Sequence, residues 1–274
     1  MMQQYMETKK QYSDCILFYR LGDFYEMFFD DAITASKELE ITLTGKNCGL
    51  EERAPMCGVP YHSVDSYLNR LVEKGYKVAI CEQVEDPQQA KGIVKREVVR
   101  VVTAGTNMNA QALDETKNNY IMCIVYIADR YGLAVADVST GDYFVTELDS
   151  GRKLLDEIHK FSPSEIICNE SFYMSGLDLD DLRHRLGMMI YSIDTHFFDD
   201  EMCARILKEH FHAASLEGMG LGDYNCGVIA AGALLKYLYE TQKTSLSHIT
   251  HITGYATGRI YVIGQLFPKK PGVV

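Results

Sequence analysis

Residues 104–116, Ala-Gly-Thr-Asn-Met-Asn-Ala-Gln-Ala-Leu-Asp-Glu-Thr, carry no sustained apolar periodicity, while the chain on either side does. That break constrains the fold more than any other feature. Small and polar stretches between patterned segments are where domain boundaries fall. The 274 residues therefore divide into two lengths, each able to bury its own core.

The first length alternates short apolar runs with amphipathic ones. A helix is expected over 1–13. Strands are expected over 16–21 and 24–28, joined by a Gly22-Asp23 turn. Asp30 and Asp31 are placed to cap a helix over 32–39, with their charge at its positive end. A short strand over 41–44 and a polar loop over 45–53 follow. Ser63 is a candidate N-cap for a helix reaching Glu73, with Asp65 in its first turn and Gly75 as its stop. Strands over 76–83 and 96–102 complete a mixed α/β domain.

The second length opens with three strands, over 120–126, 132–139 and 143–148, and Gly141-Asp142 marks a hairpin between the last two. Then come a helix over 151–160, a strand over 165–169, a helix over 178–186, a strand over 188–193 and a long apolar helix over 228–239. Three antiparallel strands followed by alternating helices and strands suggest a ribonuclease-H-like layout. The fold class expected is thus α/β with two domains.

Charge narrows the function. The net charge is −11. Phosphate contacts need clustered Lys and Arg, so a free-standing nucleic-acid binder is disfavoured. The excess is uneven: residues 1–110 carry a net of −3 and the remainder −8. A DNA-contacting half, if there is one, is the first, and alone it should bind weakly. No C-x-x-C pair occurs among the eight cysteines, which argues against zinc or dithiol chemistry. Cys81, Cys123 and Cys168 lie in apolar runs and read as small core residues. No apolar run approaches the roughly 20 residues that span a bilayer, and the N-terminus lacks the pattern of a signal peptide. A cytoplasmic protein with no membrane partner is the expectation.

Residues 24–28 read Phe-Tyr-Glu-Met-Phe. In an extended strand Phe24, Glu26 and Phe28 share one face, and Tyr25, Met27 and Phe29 share the other. A carboxylate between two phenyl rings is odd in a core. It makes sense at an exposed tip that touches a partner. The plainer reading is a half-buried strand with Glu26 solvated at its end. Asp137 invites a metal-dependent nuclease reading, with Glu165 and Asp194 as further acids. A bond from Asp137 to the Ser139-Thr140 turn is the preferred alternative, because one aspartate is weak support for a metal site. His210 and His212 are two residues apart, wrong for one helix face, and with His248 and His251 they suggest no metal. Gly45-Lys46-Asn47 lacks both the upstream glycine and the Ser or Thr of a P-loop.

Leu21-Gly22-Asp23-Phe24-Tyr25-Glu26-Met27-Phe28 resembles the Phe-x-Glu motif of the bacterial MutS mismatch-repair family. Met1-Met2-Gln3-Gln4-Tyr5, Pro55-Met56-Cys57-Gly58-Val59-Pro60-Tyr61-His62, Val78-Ala79-Ile80-Cys81-Glu82-Gln83 and Val99-Arg100-Val101-Val102-Thr103 follow that family's order and spacing. Asp137-Val138-Ser139-Thr140-Gly141 resembles the start of its connector domain.

The resemblance implies a mismatch-recognition domain over 1–103, a linker over 104–116, a ribonuclease-H-like connector domain over 117–252, and over 253–274 a truncated start of the core region or an altered tail. It implies that Phe24 enters DNA beside a mismatched or unpaired base, with Glu26 contacting that base. Lys46, Tyr61 and His62 are weaker candidates for backbone contacts. The implied partners are mismatched double-stranded DNA, a second MutS-type subunit in a homodimer, and a MutL-type repair factor docking on the connector domain. ATP and Mg2+ would serve a C-terminal domain of the parent protein, leaving this piece without cofactor, catalytic residue or ATPase activity. The rivals are a connector-type interaction module and the nuclease centred on Asp137.

Overall fold

In the computed structural model, which describes residues 1–109 and 117–257, strand β1 (Ile16–Leu21) feeds two cores at once. Successive strand residues point to opposite faces. Leu17 and Tyr19 pack with Tyr5 of helix α1 (Met2–Gln11), while Ile16 and Phe18 pack beneath α2 (Phe29–Leu39) and α3 (Val64–Glu73). The chain divides into two units, the first comprising Met1–Asn109 with Thr241–Lys243 and the second built from residues 117–240 and 244–257.

The other strands of the first unit are β2 (Phe24–Phe28), β3 (Thr44–Lys46), β4 (Ala54–Pro60), β5 (Val78–Gln83) and β6 (Arg96–Val102). They form one sheet in the order β3-β4-β2-β1-β5-β6. β1 and β5 run parallel, and every other pair is antiparallel. Thr106 and Asn107 are buried, and Asn107 and Asn109 donate to Asn69 and Asp65 of α3 at 2.7 and 2.8 Å. Residues 103–109 are thereby anchored to the first unit.

Several local expectations change. Helix α2 starts at Phe29, so Asp30 and Asp31 lie in its first turn and cap nothing. Asp31 instead accepts the Leu17 backbone N–H at 3.0 Å and pairs with Lys9 at 2.9 Å, tying α2 to β1 and α1. Phe29 turns to φ 52° and leaves the strand, so its ring joins Tyr5 rather than the face of Tyr25 and Met27. Ser63 occupies the N-cap position of α3, but its hydroxyl donates to the Pro60 carbonyl at 3.4 Å. The strand expected over 41–44 is displaced to Thr44–Lys46, where β4 supplies its partner. No element was expected over 54–60, where β4 forms with Pro55 and Pro60 at its two ends.

In the second unit β7 (Ile121–Ile127), β8 (Arg130–Asp137) and β9 (Asp142–Leu148) are antiparallel neighbours. β10 (Glu165–Cys168) and β11 (Met189–Ser192) add parallel strands beyond β7, and β12 (Thr253–Gly254) closes the far edge beside β9. The order β11-β10-β7-β8-β9-β12 has the ribonuclease-H-like layout expected from the element order, with β12 as an addition. Both sheet faces are covered. Met122 and Ile124 of β7 pack towards α4 (Gly151–Phe161) and α5 (Leu179–His184). Ile121, Cys123 and Val125 pack towards α6 (Asp200–His210) and α7 (Cys226–Gln242). No helix among the described residues is long and apolar enough to cross a membrane. All eight cysteines are free. Burial pushes Cys81, Cys168 and Cys203 up to about 12, so these thiols stay protonated and act as core atoms.

Candidate nucleic-acid interface

The hairpin of β1 and β2 turns on Gly22-Asp23, and Gly22 adopts φ 60°, a conformation open to glycine at little cost. Phe24 is the first residue past the turn, paired with Leu21 on one side and Pro60 on the other. Phe24 is 47% exposed. Tyr25 and Met27 point into the core under α2 and α3, and Phe28 is buried edge-on against Tyr5 at 4.9 Å between ring centroids. Phe24 keeps nearly half of its surface in solvent while the next aromatic residues of the strand, Tyr25 and Phe28, are buried. It is available to a ligand.

Glu26 lies on the same face as Phe24, between Tyr19 of β1 and Gly58 of β4. Only 15% of its side chain is exposed, and its carboxylate pairs with the Lys46 ammonium at 2.8 Å. Gly58 lies across from both groups. A Cβ there would stand 3.3 Å from the Tyr25 carbonyl oxygen, 3.7 Å from Glu26 Cγ and 3.9 Å from the Phe24 ring.

Tyr61 and His62 lie in a single 3-10 turn (Tyr61–Ser63) between β4 and α3. The Tyr61 N–H donates to the Asp23 carbonyl at 2.9 Å, which locks this turn to the hairpin tip. Tyr61 is 40% exposed, and its ring meets His62 edge-on at 5.6 Å. The structure thus brings Phe24, Glu26 and Lys46 together on one sheet face, and fastens the turn of Tyr61 and His62 to the same hairpin.

Sequence reasoning missed the support of this tip. The Arg20 guanidinium stacks on the Tyr61 ring at 3.6 Å and reaches Glu82 of β5 at 3.4 Å, and the Tyr25 hydroxyl also donates to Glu82. Burial raises the Glu82 carboxyl above its ordinary value, with Arg20 opposing. Arg96 donates to the Arg20 carbonyl at 2.7 Å. The available signal was Arg20 itself, a charge set inside the apolar run of β1.

Of the three acids singled out in the second unit, Asp137 and Glu165 are buried and Asp194 is exposed. Asp137 is fully buried at the end of β8, and its Oδ1 accepts the Ser139 N–H at 3.0 Å, the Ser139 hydroxyl at 2.9 Å and the Thr140 N–H at 3.3 Å. This is the turn-stabilising role preferred from sequence. Glu165 is buried and accepts the Tyr191 and Tyr237 hydroxyls, while Asp194 accepts the His196 N–H at 3.0 Å as a cap. The first strand of this sheet, β7, carries no carboxylate at all. His210 bonds Tyr239 and, at 2.7 Å, the Ile249 carbonyl, and His248 bonds the Val138 carbonyl. No cluster of three metal-ligating side chains occurs among the described residues.

Fold and site define the class: a chain of two α/β units, the first presenting an aromatic and a carboxylate at a hairpin tip, the second a ribonuclease-H-like sheet whose acids serve internal bonds. Comparison with known proteins narrows it. The family model for MutS domain I matches residues 1–111, and that for MutS domain II matches residues 119–250. A DNA mismatch repair protein MutS of Lachnoclostridium phytofermentans is 63% identical over 263 residues, covering 96% of this chain and 28% of the relative. Proteins of the same name from Acetivibrio thermocellus and Ruminiclostridium cellulolyticum are 53% and 54% identical, each covering 93% of this chain and 29% of the relative. The chain spans less than a third of the length of these curated relatives. It belongs to the MutS family and carries that family's domain I and domain II.

Proposed function

We propose that this chain recognises mismatched or unpaired bases in double-stranded DNA as part of mismatch repair, with residues 1–103 as the recognition domain and 117–252 as the connector. The observation that carries the reading is the exposed Phe24 ring at the hairpin tip, beside Glu26 on the same face. An apolar wedge inserted between base pairs costs a few kcal/mol of unstacking per step. Stacking of a base on the ring returns roughly 1–3 kcal/mol. The two terms nearly cancel, so the DNA decides the outcome. A mismatched step is already weakly stacked and kinks at lower cost. Discrimination then arises from deformability rather than from base sequence.

Glu26 adds a polar check. A bare carboxylate near phosphates is repelled, so the penalty Glu26 sets on ordinary duplex depends on its pairing with Lys46. At a disrupted pair it accepts a hydrogen bond from a base edge. Tyr61 and His62 sit where they can meet the sugar-phosphate backbone, and such contacts position without reading sequence. The net charge of the first unit keeps affinity modest, so a second MutS-type subunit completes the grip. The connector domain offers a surface to a MutL-type factor. Nucleotide turnover, with its ATP and Mg2+, belongs in this scheme to parts of MutS proteins beyond the two matched domains, and these two domains act without cofactor or catalysis.

The test is binding at low salt to two duplexes that differ by a single G·T mismatch or unpaired T, using the wild-type chain and Phe24→Ala. A wild-type preference for the mismatch that Phe24→Ala abolishes supports the reading. Equal binding of both duplexes by the wild type, or a preference that survives in Phe24→Ala, overturns it.

A further inference from the structure

We propose that Lys46 is the resident counter-ion of Glu26, surrendered when the carboxylate meets a disrupted base, rather than simply a phosphate contact. The inference rests on the mismatch-recognition reading and concerns how that site discriminates.

The geometry points to it. Lys46 ends β3, two strands away from Glu26, with β4 between them. Its side chain nevertheless crosses to bring Nζ within 2.8 Å of Glu26 Oε2, passing 5.8 Å from the centroid of the buried Phe28 ring. No side chain at Gly58 blocks the path beside Glu26. The carboxylate is the more enclosed partner, 15% exposed against 35% for the lysine side chain. Glu26 therefore depends on this cation more than the cation depends on Glu26, because an enclosed charge without a partner is costly.

The pair changes what a duplex meets. In the free protein the two charges cancel. Against paired DNA they stay together, and the carboxylate is held away from the phosphates in a neutral pair. At a mismatch the base edge gives Glu26 another partner, and the released ammonium is free to meet a phosphate. Removing the lysine charge leaves a bare carboxylate, which repels any phosphate and most repels the duplex that offers it no partner.

A double-mutant cycle on the chain tests this, combining Lys46→Met with Glu26→Gln and adding Lys46→Arg. Unfolding and binding to paired and G·T duplexes are both measured. Three results are expected. The unfolding midpoints of the cycle are non-additive. Lys46→Met weakens homoduplex binding more than mismatch binding, so the mismatch:homoduplex ratio rises by about threefold, within the range of part-exposed ion pairs. In the Glu26→Gln background the ratio does not respond to Lys46→Met, and Lys46→Arg stays within about twofold of wild type.

Additive unfolding effects overturn the proposal whatever the DNA data. So does a Lys46→Met change that weakens both duplexes equally in both backgrounds, the behaviour of a plain phosphate contact. A wild-type chain without mismatch preference overturns the recognition reading, and this inference with it. Equal effects in both backgrounds alongside an intact Phe24-dependent preference overturn this inference alone.

Discussion

Two carboxylates on the two sheets of this chain, Glu26 and Asp137, differ in what the fold asks of them. Asp137 is fully buried, and its Oδ1 accepts three bonds from groups two and three residues away. Glu26 is held by a single lysine brought from two strands away, on a face that also carries an exposed phenyl. The first is part of the scaffold and the second is poised for exchange. A charged group inside a sheet is thus informative only together with its partners: local backbone partners mark structure, and a distant, removable partner beside exposed apolar surface marks a contact site.

Substitutions sharpen that contrast on the scale of stability. Asp137→Ala leaves the Ser139 N–H and hydroxyl and the Thr140 N–H without their acceptor. It should lower the unfolding free energy by about 3 kcal/mol. Denaturant melts check this, and neither Mg2+ nor Mn2+ should elicit cleavage of junction DNA by the wild type. Gly58→Val crowds Glu26 Cγ and the Phe24 ring, costing about 1–2 kcal/mol and reducing mismatch preference.

A smaller effect is expected at His210. Its Nε2–H donates to the Ile249 carbonyl, so the neutral ring accepts the Tyr239 hydroxyl at Nδ1. Burial lowers its affinity for a proton below the ordinary 6.5. Below pH 6.5 the unfolded chain takes up a proton that the folded chain resists, so this stabilisation is present above that pH and is lost as pH falls through the lowered value. After allowance for solvent screening the loss is under about 1 kcal/mol. Melts at pH 7.5 and 5.5 should show a larger acid loss in wild type than in His210→Gln. Phe24→Ala is expected to change stability least, within about 0.5 kcal/mol, while removing mismatch preference. A folding defect in Phe24→Ala would erase the distinction between scaffold and site.

Much of the architecture could be read in advance because it is written in local pattern. β1 and β2 fall on their expected residues either side of a glycine turn, and so does β6. The open ribonuclease-H-like order of the second sheet followed from three hairpin-linked strands. Long-range partners were not readable. The ion pair between Lys46 and Glu26 depends on β4, for which no element was expected, and on a lysine crossing that strand. α6 was missed because its buried stripe is narrow, with Cys203 and Leu207 alone fully buried. The aspartates at the start of α2 looked like caps, yet Asp31 was taken by a lysine and a strand N–H that only tertiary packing brings near.

The most direct measurement replaces Phe24 with a photo-crosslinking phenylalanine analogue and maps its adducts on bound duplexes. Adducts on the bases flanking a G·T mismatch, and none inside the matched duplex, are the expected result. Adducts spread equally over both duplexes, or no adduct from a bound mismatch complex, would contradict the wedge.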